Sequence, residues 1–483
     1  MSGLFGTLNV ANKGMQAAQT AFHTIGHNIS NAETEGFSRQ RVELQADLAY
    51  TLGGVGQLGT GVKMIGILRV VDDYVTRQIR GENGTFNKFT AKSEVLEQME
   101  IIFNEPSDTS LNFNLGEMFD AWTELSKNPE IPTAKSIVVE KSKTMTDTLN
   151  HIANQLESLK DDTTELIEMN AKDFNSIVES LDTLNKQIFN ISIKGQVPND
   201  LMDQRDLLLK NLSSITNFST SFDGYGRVSI KAEAGAPAAE TEVLSFDGST
   251  KNLLTVNDSD GNVVVQLGGN ELASKSGQIA GYKEALVEIN EQIDELNEFA
   301  VTMAKAINYV HREGMGEGFE NNFFTDNDGG EAITAANIKV NQVLQDDNSK
   351  VNVGATSASL EGDGSRALAI ARVRNIKLSS GMTYEFEAGT LNLVGDPNGN
   401  TIESTYKGIA TNIGISKQQS DNMVSNQEVL LNQLVMRRES TSGVNIDEEV
   451  SNIIKFQKTY DANARVIQVL SEMLDTLIFR TGV

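Results

Sequence analysis

Four patterns in the sequence have residue types and spacing that could do chemistry. Gly54, Gly56 and Gly59 satisfy GxGxxG. In a dinucleotide site such glycines follow a strand and open a helix, whose N-terminal amides hold the pyrophosphate. Here VKMIGILRVV follows, from Val62 to Val71, and it is β-prone, so the glycines read as a loop. His23 and His27 stand four apart, which would place two imidazoles on one helix face for a zinc ion. No HExxH glutamate accompanies them and the chain has no cysteine, so packed or rim histidines are expected. Asp258, Asp260 and Asn262 around Gly261, and Asp326, Asp328 and Glu331 around Gly329, hint at calcium loops. Both lack the bidentate Glu at the twelfth position, which leaves hairpin or surface turns. Asp447, Glu448 and Glu449 could pair carboxylates for acid–base work, but they open a helical pattern where negative charge complements the helix dipole. No GxSxG nucleophile setting occurs. The expectation is a chain that is not an enzyme, with no catalytic residue, no cofactor and no metal.

Composition limits the partners. A formal charge of -26 and a pI near 4.6 disfavour nucleic acid, whose phosphates reward clustered Lys and Arg. The only adjacent arginine pair is Arg437 and Arg438. No apolar run approaches the eighteen or so residues that span a bilayer, and the first fifteen residues lack the basic and apolar blocks of a cleaved secretory signal. No membrane insertion is expected. With no cysteine, disulfides, thiolate zinc sites and cysteine nucleophiles are excluded. At 483 residues the chain is long enough for two to four domains.

The strongest pattern lies at the two ends. Leu4, Leu8, Ala11, Met15, Ala18, Phe22, Ile25 and Ile29 step by four and three without a break. The same step at the back gives Ile446, Val450, Ile453, Gln457, Tyr460, Ala464, Ile467, Ser471, Leu474 and Ile478. A heptad stripe keeps one seam of a helix turned to a partner. Each end carries a second stripe: Val10, Gly14, Ala17 and Ala21 in front, Val466, Leu470, Met473 and Leu477 behind. One partner covers one seam, so two stripes call for neighbours on two sides. The assembly interface is therefore placed on Leu4, Leu8, Ala11, Met15, Ala18, Phe22, Ile25, Ile29, Val450, Ile453, Tyr460, Ala464, Ile467, Leu470, Leu474 and Leu477.

Between the ends, NISNAETEGF (28–37) reads as a cap and turn with Gly36 at positive φ. Short β-prone pieces run to Val71, then helix from Asp72 to about Lys127 with a break near 104–109. A very long helix starts at Pro129–Pro132, and a further piece spans Asp200 to about Ser214. From Asn217 to Gly277 the period drops to two, with Asp-Gly and Gly-Asn turns. Helix returns over 277–312, near 365–376, over 402–438 and at the end, with a β-like interruption at 382–396. Asn445 and Glu448 fit a capping box. The fold class expected is mainly α with an inserted β domain. The terminal helices pair as a coiled-coil-like domain (1–45 with 445–483), beside a helical bundle or rod domain (46–216, 278–325 and 365–444). A β-rich outer domain (217–277, with 326–364 as a candidate extension) completes the chain. A chain that runs out and folds back would put both termini at one end of a rod and the β domain at the other.

At this point the residues are familiar. ANKGMQAAQTAFHTIGHNISNAETEGFSRQ resembles the N-terminal signature of the axial proteins of the bacterial flagellum (rod, hook and hook-associated proteins). SGVNIDEEVSNIIKFQKTYDANARVIQVLSEMLDTLI resembles their C-terminal one. GTGVKMIGILRVVDDYVTRQIR, NDLMDQRDLLLKNLS and LNEFAVTMAKAINYVHREGMGEGFENNFF resemble the hook–filament junction family within that group. The resemblance implies a non-enzymatic structural component of the flagellum, an extracellular ring of like subunits between hook and filament. It also implies type III export without a cleaved signal, after a transient stay in the cytoplasm. Implied partners are further copies of the chain, the hook protein, a second junction protein or flagellin, and a cytoplasmic export chaperone on the C-terminal region. A hook or rod protein is the alternative, and a secreted adhesin a more distant one. The long helical middle and the acidic polar face of the last helix weigh against these.

Overall fold

The computed structural model describes residues 3–480 except 55, 105–106, 108, 236–238, 260–261, 314–320, 327–331 and 357; of 52, 258–259, 262, 477 and 480 only the backbone is described. The chain opens with helix α1 (Leu4–Ser30) and four short strands, β1 (Gln40–Ala46), β2 (Tyr50–Leu52), β3 (Gly56–Leu58) and β4 (Val62–Arg69). Four helices follow: α2 (Asp73–Phe103), α3 (Leu111–Lys127), the 61-residue α4 (Pro132–Ser192) and α5 (Asn199–Ile215). The β insert holds β5 (Ser219–Phe222), β6 (Val228–Ala234), β7 (Ala239–Leu244), β8 (Leu254–Ser259), β9 (Asn262–Leu267) and β10 (Asn270–Glu271). Then come α6 (Gln278–Arg312), β11 (Phe324–Thr325), β12 (Lys339–Val340), α7 (Gln342–Asp346), α8 (Ser365–Val373), α9 (Ile402–Ser442) and α10 (Ile446–Arg480). The fold is mainly α with an inserted β section.

The chain packs as two compact units. One comprises Met1–Lys88, Glu168–Ala280 and Ser425–Val483; the other comprises Phe89–Ile167 and Gly281–Val424. In the first, β5-β6-β7 and β8-β9-β10 form two antiparallel sheets. Two asparagines of α4 tie it to these sheets by two-way hydrogen bonds. Asn175 pairs with the backbone of Leu254 (2.9 and 2.7 Å) and Asn185 with that of Val228 (2.8 and 2.9 Å). Each satisfies strand amides and carbonyls that would otherwise be buried unpaired. Val178, Leu181 and Ile188 of α4 and Val228, Ile230, Val243 and Val265 of the sheets are buried in this unit. At Gly84 of α2 a Cβ would meet the Ser213 carbonyl oxygen and Ser276 Oγ at 2.9 Å, so the close approach there requires glycine. Termini and insert thus share one compact unit. Single asparagines on a helix face leave no periodic signal, so the docking of the insert was not readable.

In the second unit the buried faces are those of period 3.6. Leu111, Leu115, Met118, Phe119, Trp122 and Leu125 line α3; Met145, Leu149, Ile152 and Leu156 line the first part of α4; Leu296, Ala300, Met303, Ile307 and Val310 line α6. Ser110 caps α3 by accepting from the Phe113 amide at 3.3 Å. Arg366 of α8 is fully buried and fastens the end of α6. Its guanidinium donates to the carbonyls of Val310, His311 and Glu313, and to those of Gly354 (3.0 Å) and Ala355 (2.8 Å). Burial pushes its pKa down to about 10, which leaves it charged at neutral pH. His311 beside it is also buried. The ring donates from Nδ1 to the Asn321 carbonyl at 2.9 Å and accepts at Nε2 from the Asn352 amide at 3.2 Å, so a single neutral tautomer fits both bonds. The β-like interruption at 382–396 forms no regular strand; it holds the isolated bridge Phe386↔Leu393 and is flanked by another, Leu378↔Asn400.

Candidate assembly surface

α1 and α10 pack along each other. Small residues make the approach close: Ala11, Ala17, Ala18 and Ala21 are all buried. At Gly14 an added Cβ would come within 2.8 Å of the Asn463 side chain. Of the expected interface residues, Ala11, Ala18, Ile25 and Leu470 are buried. Leu4, Leu8, Met15, Phe22, Ile29, Ile453, Tyr460, Ala464, Ile467 and Leu474 are half-buried, and Val450 is exposed. The side chain of Leu477 lies outside the described residues. Half-burial along both seams is what one helix partner supplies.

The remaining surface of α10 mixes charged residues with exposed apolar ones. Ile454, Val466, Val469, Met473 and Ile478 of α10 are exposed, and Phe479 is 81% exposed. Phe5 at the start of α1 is exposed too. Isolated apolar residues on a surface need no explanation, but a run along one helix marks an interaction face.

A β collar braces the pair. β1 and β4 form an antiparallel ribbon that packs on α1, with a register shift at Glu43/Leu44. Gly61, at φ +101°, comes so close to Val10 that a Cβ would lie 3.3 Å from the Val10 Cα. Lys13 of α1 donates to Asp47 at 2.6 Å, and that bond holds the Asp47 carboxyl below the usual carboxylate range. Asn28 exchanges two hydrogen bonds with the backbone of Gln40 (2.9 and 3.0 Å), turning the chain from helix into collar. Gly36 takes φ +81° in that turn.

A cluster that periodicity does not mark holds the collar to α5. Arg69 at the end of β4 donates to Asp203 (2.7 Å) and Asp206 (2.9 Å). Burial opposes the Arg69 charge, but the two carboxylates outweigh it and raise its pKa. Asp203 also accepts from the Ser38 amide at 3.1 Å, and Asn199 donates to the Ile67 carbonyl at 2.8 Å. Arg205 pairs with Asp206 at 2.6 Å and lies 4.4 Å over the Phe222 ring. Arg39 reaches α10, pairing with Glu449 (2.6 Å) and Glu448 (3.2 Å). Asn445 caps α10 by accepting from the Asp447 and Glu448 amides at 3.0 and 3.2 Å. Glu448 goes to Arg39 instead of completing a capping box, because a charged partner outweighs a backbone amide. The sequence signal for this cluster was the pair of stretches 59–80 and 199–213, which carried the resemblance without a physical reason for it.

The remaining candidates are placed plainly. Gly54 and Gly56 take positive φ in the turn of the β2–β3 hairpin, and strand β4 follows. His23 is exposed; His27 contacts Asp200 at 3.2 Å and Asn31 at 3.2 Å. Of the six loop residues around Gly261 and Gly329, only the Asp326 side chain is described; Asp258 and Asn262 are described as backbone, in β8 and β9, and the others lie outside the described residues. Among the described residues no group of three or more His, Cys, Asp or Glu could hold a metal ion. None of their helices is long and apolar enough to cross a membrane.

Comparison with known proteins agrees with this arrangement. The family described as "Flagellar hook-associated protein FlgK helical domain" matches residues 96–324. "Flagellar basal body rod FlgEFG protein C-terminal" matches 438–478, and "Flagella basal body rod protein" matches 8–37. The flagellar hook-associated protein 1 of Bacillus subtilis is 29% identical, over 100% of this chain and 99% of the relative. That of Escherichia coli is 24% identical, over 98% and 99%. The solved flagellar hook junction protein FlgK from Burkholderia pseudomallei shares the fold: TM-score 0.61, 12% identity, 76% of this chain and 100% of that one. With a hook-associated helical-domain match set between two flagellar terminal matches, the chain is similar over its full length to the flagellar hook-associated protein 1 of these bacteria.

Proposed function

We propose that the protein is a structural component of the bacterial flagellum that joins hook to filament as a ring of like subunits. The observation that supports this is the set of apolar side chains left exposed along α10, from Val450 and Ile454 through Val466, Val469 and Met473 to Phe479, while another side of the helix packs on α1. Burying such a face is worth about 25 cal/mol per Å2, and copies stacked around a common axis would supply the cover. The names of the relatives supply the place, at the hook junction.

Finer parts of the reading belong here as well. The interface comprises the stripes of α1 and α10 named from the sequence. Residues 1–45 with 445–483 act as the axial domain, the helical middle as the rod domain and 217–277 as an outer domain. Neighbours are the hook protein on one side and a second junction protein or flagellin on the other. Export runs through the flagellar type III apparatus, with a chaperone on the C-terminal region, and the working location is extracellular. The terminal helices order fully only on assembly, so the ordering cost restrains premature polymerisation.

Deleting residues 446–483 tests the proposal. The expected result is a soluble protein that keeps its other helices by circular dichroism while cells lose filament attachment. Filaments that stay attached would contradict it.

A further inference from the structure

In the first unit, a cleft of about 390 Å3 opens between α2, the segment after α5 and strand β5. Its wall carries two arginines, Arg77 and Arg80, and no carboxylate. That is unusual in a chain with 66 acidic and 40 basic residues. Among the described residues neither arginine makes a salt bridge. Arg80 is half-buried, and its one hydrogen bond is a long one to Thr220 Oγ1 at 3.4 Å. The surrounding acids are engaged elsewhere: Asp206 by Arg69 and Arg205, and Glu240 by Lys231. Asp73 acts on Arg80 only at Coulomb range. Burial accordingly holds the Arg80 pKa below its ordinary value, ahead of the pull of Asp206.

The other wall groups are small polar donors. Asn217 uses its Oδ1 to accept from the Lys275 amide at 2.7 Å, which leaves its NH2 to donate into the cleft. Thr220 and Ser276 add hydroxyls, while that of Ser219 donates at 3.5 Å to the Lys231 carbonyl and to Glu240. At Gly81 on α2 an added Cβ would meet nothing within 4 Å, so the space beside the arginines is open. A half-buried guanidinium without a counterion is costly, and the planar donor forks of arginine match carboxylate and phosphate oxygens. We propose that this cleft binds an oxyanion, a carboxylate or phosphate group held by Arg77 and Arg80 and oriented by the hydroxyls and amide around them.

Titrating the full-length protein with inorganic phosphate at constant ionic strength, balanced by chloride, tests the site by calorimetry and 31P line width. The expected result is saturable binding that weakens at least tenfold, about 1.4 kcal/mol, in Arg80→Gln. The exposed Arg77→Gln, which leaves the packing untouched, should weaken it as well, so a folding defect at Arg80 does not decide the outcome. A response that does not saturate, or is equal in all three proteins, is general salt exclusion and overturns the proposal. Repeating the titration at higher protein concentration identifies the source of the oxyanion. A fall in apparent phosphate affinity assigns it to a carboxylate of a second copy, and an unchanged affinity assigns it to a free anion; either result upholds the site.

Discussion

The Nε of Arg39 donates a 2.6 Å hydrogen bond to the carboxylate of Glu449, joining residues 410 positions apart in the sequence. The Glu449 side chain is only 2% exposed. This contact fixes the root of α10 against the start of the collar, so the angle at which the last helix leaves the body depends on it.

Removing one member should therefore cost more than removing both. Arg39→Ala leaves a buried carboxylate unpaired and should destabilise the root of α10 by about 2 kcal/mol. Arg39→Ala with Glu449→Ala should cost less than the single change. Limited trypsin digestion near residues 443–460, compared across the three proteins, reads the difference.

The exposed face of α10 can be tested without disturbing the monomer. Val469→Asp with Met473→Glu should change the unfolding free energy by no more than a surface change does, about 0.5 kcal/mol. Filaments should nevertheless be shed into the medium, as counted by electron microscopy. A normal number of attached filaments would show that this face is not an interface.

Close packing between the terminal helices makes a separate prediction. Gly14→Leu forces its side chain into Asn463, and overpacking of this kind costs about 1–3 kcal/mol. Hydrogen exchange should accelerate in α1 and α10 and stay unchanged in the β insert.

His311 gives the second unit an acid limit. Burial, with the nearby positive charges of Arg366 and Lys135, lowers its pKa to about 4, against the usual 6.5. The folded state therefore binds a proton less readily than the unfolded chain. Its stabilising contribution is fully present above about pH 6.5 and is lost as pH falls toward 4, amounting to about 3 kcal/mol. Denaturant midpoints measured between pH 7 and pH 4 should decline over that window, and His311→Gln should flatten the curve.

Much of this architecture could be read from spacing alone. The stripes of α1, α6 and α10 follow a 3.6-residue period, and the glycine- and asparagine-marked turns of the insert locate its strands. Local patterns of that kind survive in the sequence because each element must satisfy them by itself. The bracing cluster could not be read in the same way. Arg69 meets Asp203 from 134 residues away and Arg39 meets Glu449 from 410, and a pairing across the fold leaves no periodic trace. Glu448 shows the same limit in miniature: its spacing from Asn445 fits a capping box, but a distant arginine claims it. The run at 382–396 has strand-like composition but pairs only through the single bridge Phe386↔Leu393.

Arg366 has a mechanical meaning. Its carbonyl acceptors lie on two stretches of chain, and the three at the end of α6 (Val310, His311 and Glu313) must let go together if α6 is dragged lengthwise, so the load is shared in parallel. Such a fastening resists shear far better than contacts that can be peeled one at a time.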